Sequence, residues 1–385
     1  MRFRTVAAGL LNPYARPRHR PAAASPASDQ PGTAGPPSDF PRPMGVVQAE
    51  SAPPQPARAP FAIAGAAQTP LEEQAPDLVD EVRRYAELCR DIARGESFDV
   101  LHAHDWMSFP AGLAAAGATG KPLVVHVHST EFDRAGEAID ERIYDIERRG
   151  MHAAVRVIAV SHMTASIIEH RYGVPRSRIA IVHNGIDPTP PATTGEAGPT
   201  TVRLADDERL VLFLGRLTMQ KGPQYFVEAA VRVLEKNPNV KFIMAGDGDR
   251  ADELVDLAAR RGIGHRLLFA GFLRGEDVDR VFQTADVYVM PSVSEPFGLA
   301  ALEAIRSDVP VIVSRNSGVA EVVKHALKVD PWNIEDLADK ILAVLRHAPL
   351  ASSLRRNAEI ELRTLTWPDA ARQCIDVYEQ AAQTV

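Results

Sequence analysis

From residue 77 onward two rhythms of apolar positions alternate: short continuous runs, and longer stretches with one apolar face. Leu78, Val82, Tyr85, Cys89 and Ile92 recur at helical spacing, and Gly95 follows as a stop. Apolar runs at 98–102, 123–128, 155–160 and 179–182 read as buried strands. Between them the pattern predicts a small-residue helix from near Pro110, with Asp105 and Trp106 in the loop before it. A charged helix is predicted over 140–153, and Ser161 stands where the next helix needs an N-cap. The second half repeats the scheme more cleanly. Strands are predicted at 209–214, 240–245, 266–270, 286–290, 310–314 and 327–330. Helices are predicted near 222–236, 251–261, 276–284, 298–306 and 317–324, and three more at 333–347, 350–364 and 367–382 close the chain. Strands alternating with helices imply parallel α/β sheets, and six strands suit a doubly wound one.

Two stretches break this pattern. Residues 1–76 hold 15 of the 30 prolines, with Ala and Ser filling much of the rest. Such a segment buries too little apolar surface to offset its ordering entropy, so it is expected to be disordered or irregular. Residues 188–207, rich in Pro, Thr, Gly and Ala, are expected to be a linker. The expected organisation is therefore a 1–76 tail, a partial Rossmann-like domain over 77–187, the linker, a second domain over 208–366, and a closing helix over 367–385.

Composition narrows the class. At 385 residues and 45% apolar, the chain is long enough for two or three packed cores. A net charge of −7 offers no basic footprint, so nucleic acid is not an expected partner. Cys89 and Cys374 lie far apart without metal-ligand spacing, which suits reduced core thiols. No apolar run reaches the roughly 18 residues of a membrane span, and the Val6–Leu11 run is too short for a signal sequence. A cytoplasmic location is expected.

In open α/β sheets, ligands sit at the carboxyl ends of strands, so the residues that follow the strands are the candidates for chemistry. One strand leads into Gly215-Arg216 and then Lys221-Gly222, two cations beside a helix start, suited to neutralising a diphosphate. The next ends in Gly246-Asp247-Gly248-Asp249, read as a polar turn rather than a metal motif. The fourth leads into the 291–303 stretch, where Glu295 and Glu303 frame a Pro-Phe-Gly turn and a helix N-terminus. Free N–H groups at such a terminus favour an anion, which a carboxylate would repel. Sugar hydroxyls are the natural partners for those carboxylates. A phosphate and a sugar bound together satisfy both. In the first half His128 ends a strand facing the crevice. His102, His104 and His126 could ligate a metal, but packing of neighbouring strands suffices to explain them.

These residues resemble the donor domain of retaining GT-B glycosyltransferases of the family 4 type, relatives of bacterial glycogen synthases. The match lies in Gly215-Arg216 with Gln220-Lys221-Gly222, in Gly246-Asp247-Gly248, in Pro291-Ser292 with Glu295-Pro296, Gly298 and Glu303, and in Pro310-Val311. In the first half it lies in the 99–106 run ending Asp105-Trp106, the His128 strand end, and Asn184-Gly185-Ile186-Asp187. The resemblance implies two doubly wound domains facing a cleft and a UDP-, ADP- or GDP-sugar donor. It also implies a sugar or glycan acceptor, transfer with retention, and no metal or other cofactor. Arg216 and Lys221 would hold the diphosphate and Glu303 the ribose. Glu295 would contact the donor sugar, with the Phe297-Gly298-Leu299 backbone nearby. The Gly246-Asp247 loop would lie by the base. His128 would approach the reacting sugar, and Asp105 and Trp106 would lie on the acceptor side.

The chain departs from that family at its start, because the opening βα unit with its Gly-rich loop is not found in 1–76. The N-terminal domain is thus expected to be truncated. Beside an active transferase stand two other readings: a non-catalytic nucleotide-sugar-binding protein and, last, a sugar-nucleotide epimerase on the same fold.

Overall fold

Asp77 caps the first described helix, its carboxylate accepting the Val79 N–H at 3.2 Å. The structure, a computed structural model, describes residues 77–187, 189 and 207–384. The expectations for 1–76, and for all of 188–207 but 189 and 207, lie outside the described residues.

The first half runs α1 (Leu78–Ala93), β1 (Leu101–His104), α2 (Asp105–Thr119), β2 (Leu123–Val127), α3 (Glu131–Ala135), α4 (Glu141–Ala153), β3 (Arg156–Ala159), α5 (His162–Tyr172) and β4 (Ile179–Ile181). Its four strands are parallel in the order β1-β2-β3-β4. Adjacent residues of a strand point to opposite faces. Val125 and Val157 therefore meet Phe109, Met151 and Ile168 on one side, while Val124 and Ile158 face the other. Two expectations are corrected here. β1 begins three residues later than predicted, because the chain still bends at Asp99. α2 begins at Asp105, not near Pro110, so Asp105 and Trp106 are helical rather than in a loop. Asp105 takes a left-handed conformation (φ 57°) that turns the strand end directly into the helix, and Pro110 sits inside it.

The second half runs β5 (Arg209–Leu214), α6 (Pro223–Lys236), β6 (Val240–Ala245), α7 (Ala251–Arg260), β7 (Leu267–Gly271), α8 (Glu276–Thr284), β8 (Val287–Met290), α9 (Leu299–Arg306), β9 (Val311–Ser314), α10 (Val319–Val322) and β10 (Leu327–Val329). The helices α11 (Ile334–Arg346), α12 (Ala348–Leu362) and α13 (Trp367–Ala382) follow. Six parallel strands order as β10-β9-β8-β5-β6-β7. The order reverses between β5 and β8, and a crevice opens at the carboxyl ends of such a pair. One face is packed by Phe226, Phe242, Leu337 and Ile341, the other by Leu212, Tyr288, Phe297 and Leu302. The helix expected over 317–324 is only the single turn of α10.

The closing helix does not finish the second sheet. The Ile186 N–H donates to the Leu365 carbonyl at 2.9 Å, and α13 then lays Ala370, Val377 and Ala381 over Val124 and Ile158 of the first sheet. A Cβ on Gly185 would stand 2.3 Å from the Trp367 nitrogen, so the crossing needs glycine there. The chain thus consists of two parallel-sheet α/β domains, and its last helix belongs by packing to the first. Among the described residues no helix is long and apolar enough to cross a membrane.

Candidate active site

The crevice at the β5/β8 switch point is built from two loops. After β5 the chain passes Gly215 and Arg216 into a single 3-10 turn, Met219–Lys221, and then α6. The Arg216 guanidinium donates to Gln220 Oε1 at 3.2 Å, and the buried Gln220 accepts the Val293 N–H on its carbonyl at 2.9 Å. That bond stitches the cation loop to the 291–298 loop. At the end of β6, Gly246 has φ 140°, and a Cβ there would lie 1.8 Å from the Gly215 carbonyl oxygen. Only glycine lets the two loops pass so closely.

After β8 the chain turns through Ser292 and Glu295 into α9. Glu295 is 6% exposed, and its Oε2 accepts from Lys221 Nζ at 2.5 Å and from Ser292 Oγ at 3.1 Å. Its backbone is pinned to the next loop, N–H to the Asn316 carbonyl at 2.9 Å and carbonyl from the Gly318 N–H at 3.0 Å. No side chain caps α9, whose N-cap is Gly298. The first-turn N–H groups of a helix have no intrahelical partner and carry its positive dipole end. Gly298, Leu299 and Ala300 line a cavity of about 360 Å³ together with Arg216 and Lys221.

Below it lies Tyr288, whose hydroxyl donates to the Leu214 carbonyl at 3.1 Å. Burial, then the charges of Glu295 and Glu303, pushes its phenol well above the ordinary range, so it stays neutral. Glu303, one turn along α9, does not line the cavity. Burial raises its carboxyl pKa and Asp279 adds to the rise, while Arg306 opposes it.

The facing wall carries His128, Ser129 and Asn184 from the first domain. The Asp105 carboxylate accepts the His128 backbone N–H at 2.7 Å, and His128 Nε2 lies 2.9 Å from His104 Nδ1. His102, His104, His126 and His128 form a two-by-two array on one face of β1 and the end of β2, with ring centroids 4.2–5.4 Å apart. Burial, reinforced by neighbouring imidazoles, pulls His102 down to about 4 and His126 down to about 2. Partial desolvation of its ring and the neighbouring His128 lower His104, with Asp105 opposing.

The loop beyond His128 is anchored to the other domain. Asp133 Oδ2 accepts the Thr130 N–H and hydroxyl at 2.8 and 2.7 Å, and its Oδ1 accepts from Ser294 Oγ at 2.6 Å. Arg134 holds the same loop through the Ser129 carbonyl at 3.0 Å and the buried Glu147 at 2.6 Å. A second link joins the domains at α5, where the Glu321 carboxylate accepts the His162 and Met163 N–H groups, each at 2.8 Å.

This cavity thus brings together His128, Arg216, Lys221, Glu295, Phe297, Gly298 and Leu299. Gly246, Asp247, Glu303, Asp105 and Trp106 do not line it. Gly246 instead passes close to Gly215, and Asp105 binds the His128 backbone. Trp106 is buried in the first turn of α2. Gln220 and Ser292 lie inside the sequence motifs of Lys221 and Glu295, and neither residue type marks a role by itself. The Asp133–Ser294 contact carried no sequence signal, since its partners are 161 residues apart.

Residues 200–361 match the family described as glycosyl transferases group 1, and residues 46–189 match glycosyltransferase family 4. The chain is 32% identical over 300 residues to an uncharacterized glycosyltransferase of Methanocaldococcus jannaschii, covering 75% of this chain and 77% of that one. It is 31% identical over 302 residues to the D-inositol 3-phosphate glycosyltransferase of Mycolicibacterium smegmatis, covering 74% and 68%. In fold it is similar to HepE of Anabaena, solved in complex with UDP and glucose, with TM-score 0.65, 20% identity, and coverage of 78% and 82%. The chain belongs to the glycosyltransferases of the GT-B fold.

Proposed function

We propose that the protein transfers a sugar from a nucleotide-sugar donor to a hydroxyl-bearing acceptor with retention of anomeric configuration. The observation that carries this reading is the convergence of Arg216, Lys221 and the uncapped start of α9 on one cavity faced by His128. Two cations and a helix N-terminus form a site for a diphosphate. Retention is carried by the family resemblance.

As the bond from the anomeric carbon to the diphosphate oxygen breaks, negative charge grows on that oxygen and the sugar becomes oxocarbenium-like. Preorganised cations and amide dipoles stabilise that charge more than they stabilise the ground state. Arg216 and Lys221 then supply the positive charge that a metal would otherwise bring to the diphosphate. Glu295 accepts from donor-sugar hydroxyls, Glu303 from the ribose, and the Gly246–Asp247 loop lies by the base. The acceptor oxygen bonds to the anomeric carbon, and its proton leaves with the diphosphate or to solvent. His128, held by Asp105 and His104, flanks the reacting sugar. Water kept out of the cleft cannot hydrolyse the donor.

The test is NMR of the glycoside formed from an α-linked nucleotide-sugar and a panel of acceptors. An α-linked product supports the reading; a β-linked product, or hydrolysis without transfer, contradicts it.

A further inference from the structure

We propose that His102, His104 and His126 bind a divalent first-row transition ion of the zinc type, directly behind His128. The array is laid down by strand geometry. His102 and His104 stand two apart on β1 and so share a face, and His126 on β2 is in register opposite His104. One ring nitrogen from each of the three lies within 4.8 Å of those of the other two.

The unsatisfied atoms point to a ligand. His126 is 6% exposed, yet neither of its ring nitrogens has a hydrogen-bond partner, and His102 Nε2 is buried without one as well. Leaving such groups desolvated and unpaired is costly, and buried polar groups are rarely left so. Two further nitrogens are already used in the way that orients metal-ligating imidazoles from behind. His102 Nδ1 pairs with the Tyr378 hydroxyl at 2.6 Å, and His104 Nδ1 with His128 Nε2 at 2.9 Å. That leaves Nε2 of His102 and of His104 as the nitrogens that would take the ion. Three imidazoles with no thiolate or carboxylate suit zinc, cobalt, nickel or copper and do not suit magnesium or calcium, which take oxygen ligands.

The ion would act on the site without touching the donor. With Nε2 of His104 on the metal, its Nδ1 carries the proton and donates to His128 Nε2, fixing the tautomer of a cleft residue. Through Tyr378 it would also tie α13 to the first sheet. The inference rests on the histidine array alone and stands apart from the donor reading. A second group, His162, His183 and Glu321, also lies within reach of one ion. There the carboxylate is already taken by two backbone N–H groups.

The experiment uses the full chain without a histidine tag, stripped with a chelator and titrated calorimetrically with zinc chloride and, separately, magnesium chloride. The expected result is one equivalent of zinc, no magnesium heat, and a higher melting temperature with zinc. Cobalt substitution should give the visible bands of a four-coordinate site with three nitrogen ligands and water in the fourth position. Zinc binding should be lost in His126→Gln and in His104→Ala and kept in His162→Ala. His104 is exposed, so His104→Ala decides the matter if the buried variant does not fold. Background zinc uptake by the wild type overturns the proposal. So does a full equivalent retained in His104→Ala, or binding lost in His162→Ala.

Discussion

Lys221 and Glu295, 74 residues apart in sequence, meet at 2.5 Å through Nζ and Oε2. The ammonium is held at the cavity wall by a carboxylate that Ser292 also holds. Each charge is mostly removed from water, with side-chain exposures of 22% and 8%. Removing either partner leaves the other's charge desolvated without an opposite charge, which costs about 3 kcal/mol or more when such a pair is buried. Lys221→Ala and Glu295→Ala are therefore expected to lower kcat by at least about 100-fold, the scale of losing one preorganised donor to a developing charge. The double variant should be less damaged than the sum of the singles. Turnover at the wild-type rate in either single variant would refute the role given to the pair.

The Asp133–Ser294 hydrogen bond crosses from one domain to the other beside Glu295. Ser294→Ala removes only that link and should lower kcat/KM by about fivefold, near 1 kcal/mol, with little change in melting temperature. Asp133→Ala also uncaps Thr130 and should cost stability as well as activity. Steady-state kinetics and thermal denaturation of the two variants separate these outcomes. Equal effects of both on both readouts would contradict the account.

Gly246 is the tightest backbone passage at the site. Gly246→Ala places a methyl group against the Gly215 carbonyl and a side chain at φ 140°, so urea denaturation should show a loss well above ~1 kcal/mol. Gly264→Ala, where a Cβ meets nothing within 4 Å and no positive φ is required, is the matched control and should be near neutral.

Glu303 gives a pH signature. Its carboxyl pKa is raised by burial, so the folded protein holds that proton to higher pH than the unfolded chain does. Stability attributable to this group is intact below the ordinary carboxyl value of 4.5 and declines as pH rises from there through the raised value. Glu303→Gln carries no such penalty. In chemical denaturation it should gain on the wild type at about pH 8 and show a smaller difference near pH 4. A difference that stays constant with pH, or widens in acid, would contradict the assignment.

Much of the fold can be read from the chain because its periods are strong. β5, β6, α8 and α13 fall at the predicted limits, and Arg216, Lys221 and Glu295 stand at strand ends where such sheets bind ligands. Pairings between distant residues cannot be read this way. Lys221 with Glu295, Asp133 with Ser294, and His102 with Tyr378 are set by how loops and a returning helix converge, and no local period encodes that. In the sequence Lys221 and Glu295 stand as separate groups, one suited to phosphate and the other to sugar hydroxyls, whereas folding joins them. The start of α2 is hidden in the sequence for a local reason. A non-glycine residue in a left-handed conformation is uncommon, so Asp105 carried no signal as strong as Pro110.

The central claim is that the cavity between Arg216, Lys221 and α9 holds a nucleotide-sugar, and thermal shift across UDP-, ADP- and GDP-sugars tests it most directly. A ligand that binds only the folded state stabilises it by about 2.7 kcal/mol at 100 times its Kd, a rise of several degrees. At least one nucleotide-sugar should raise the wild-type melting temperature and leave an Arg216→Ala/Lys221→Ala variant unmoved. No shift with any of them, or the same shift in the variant, would contradict the account.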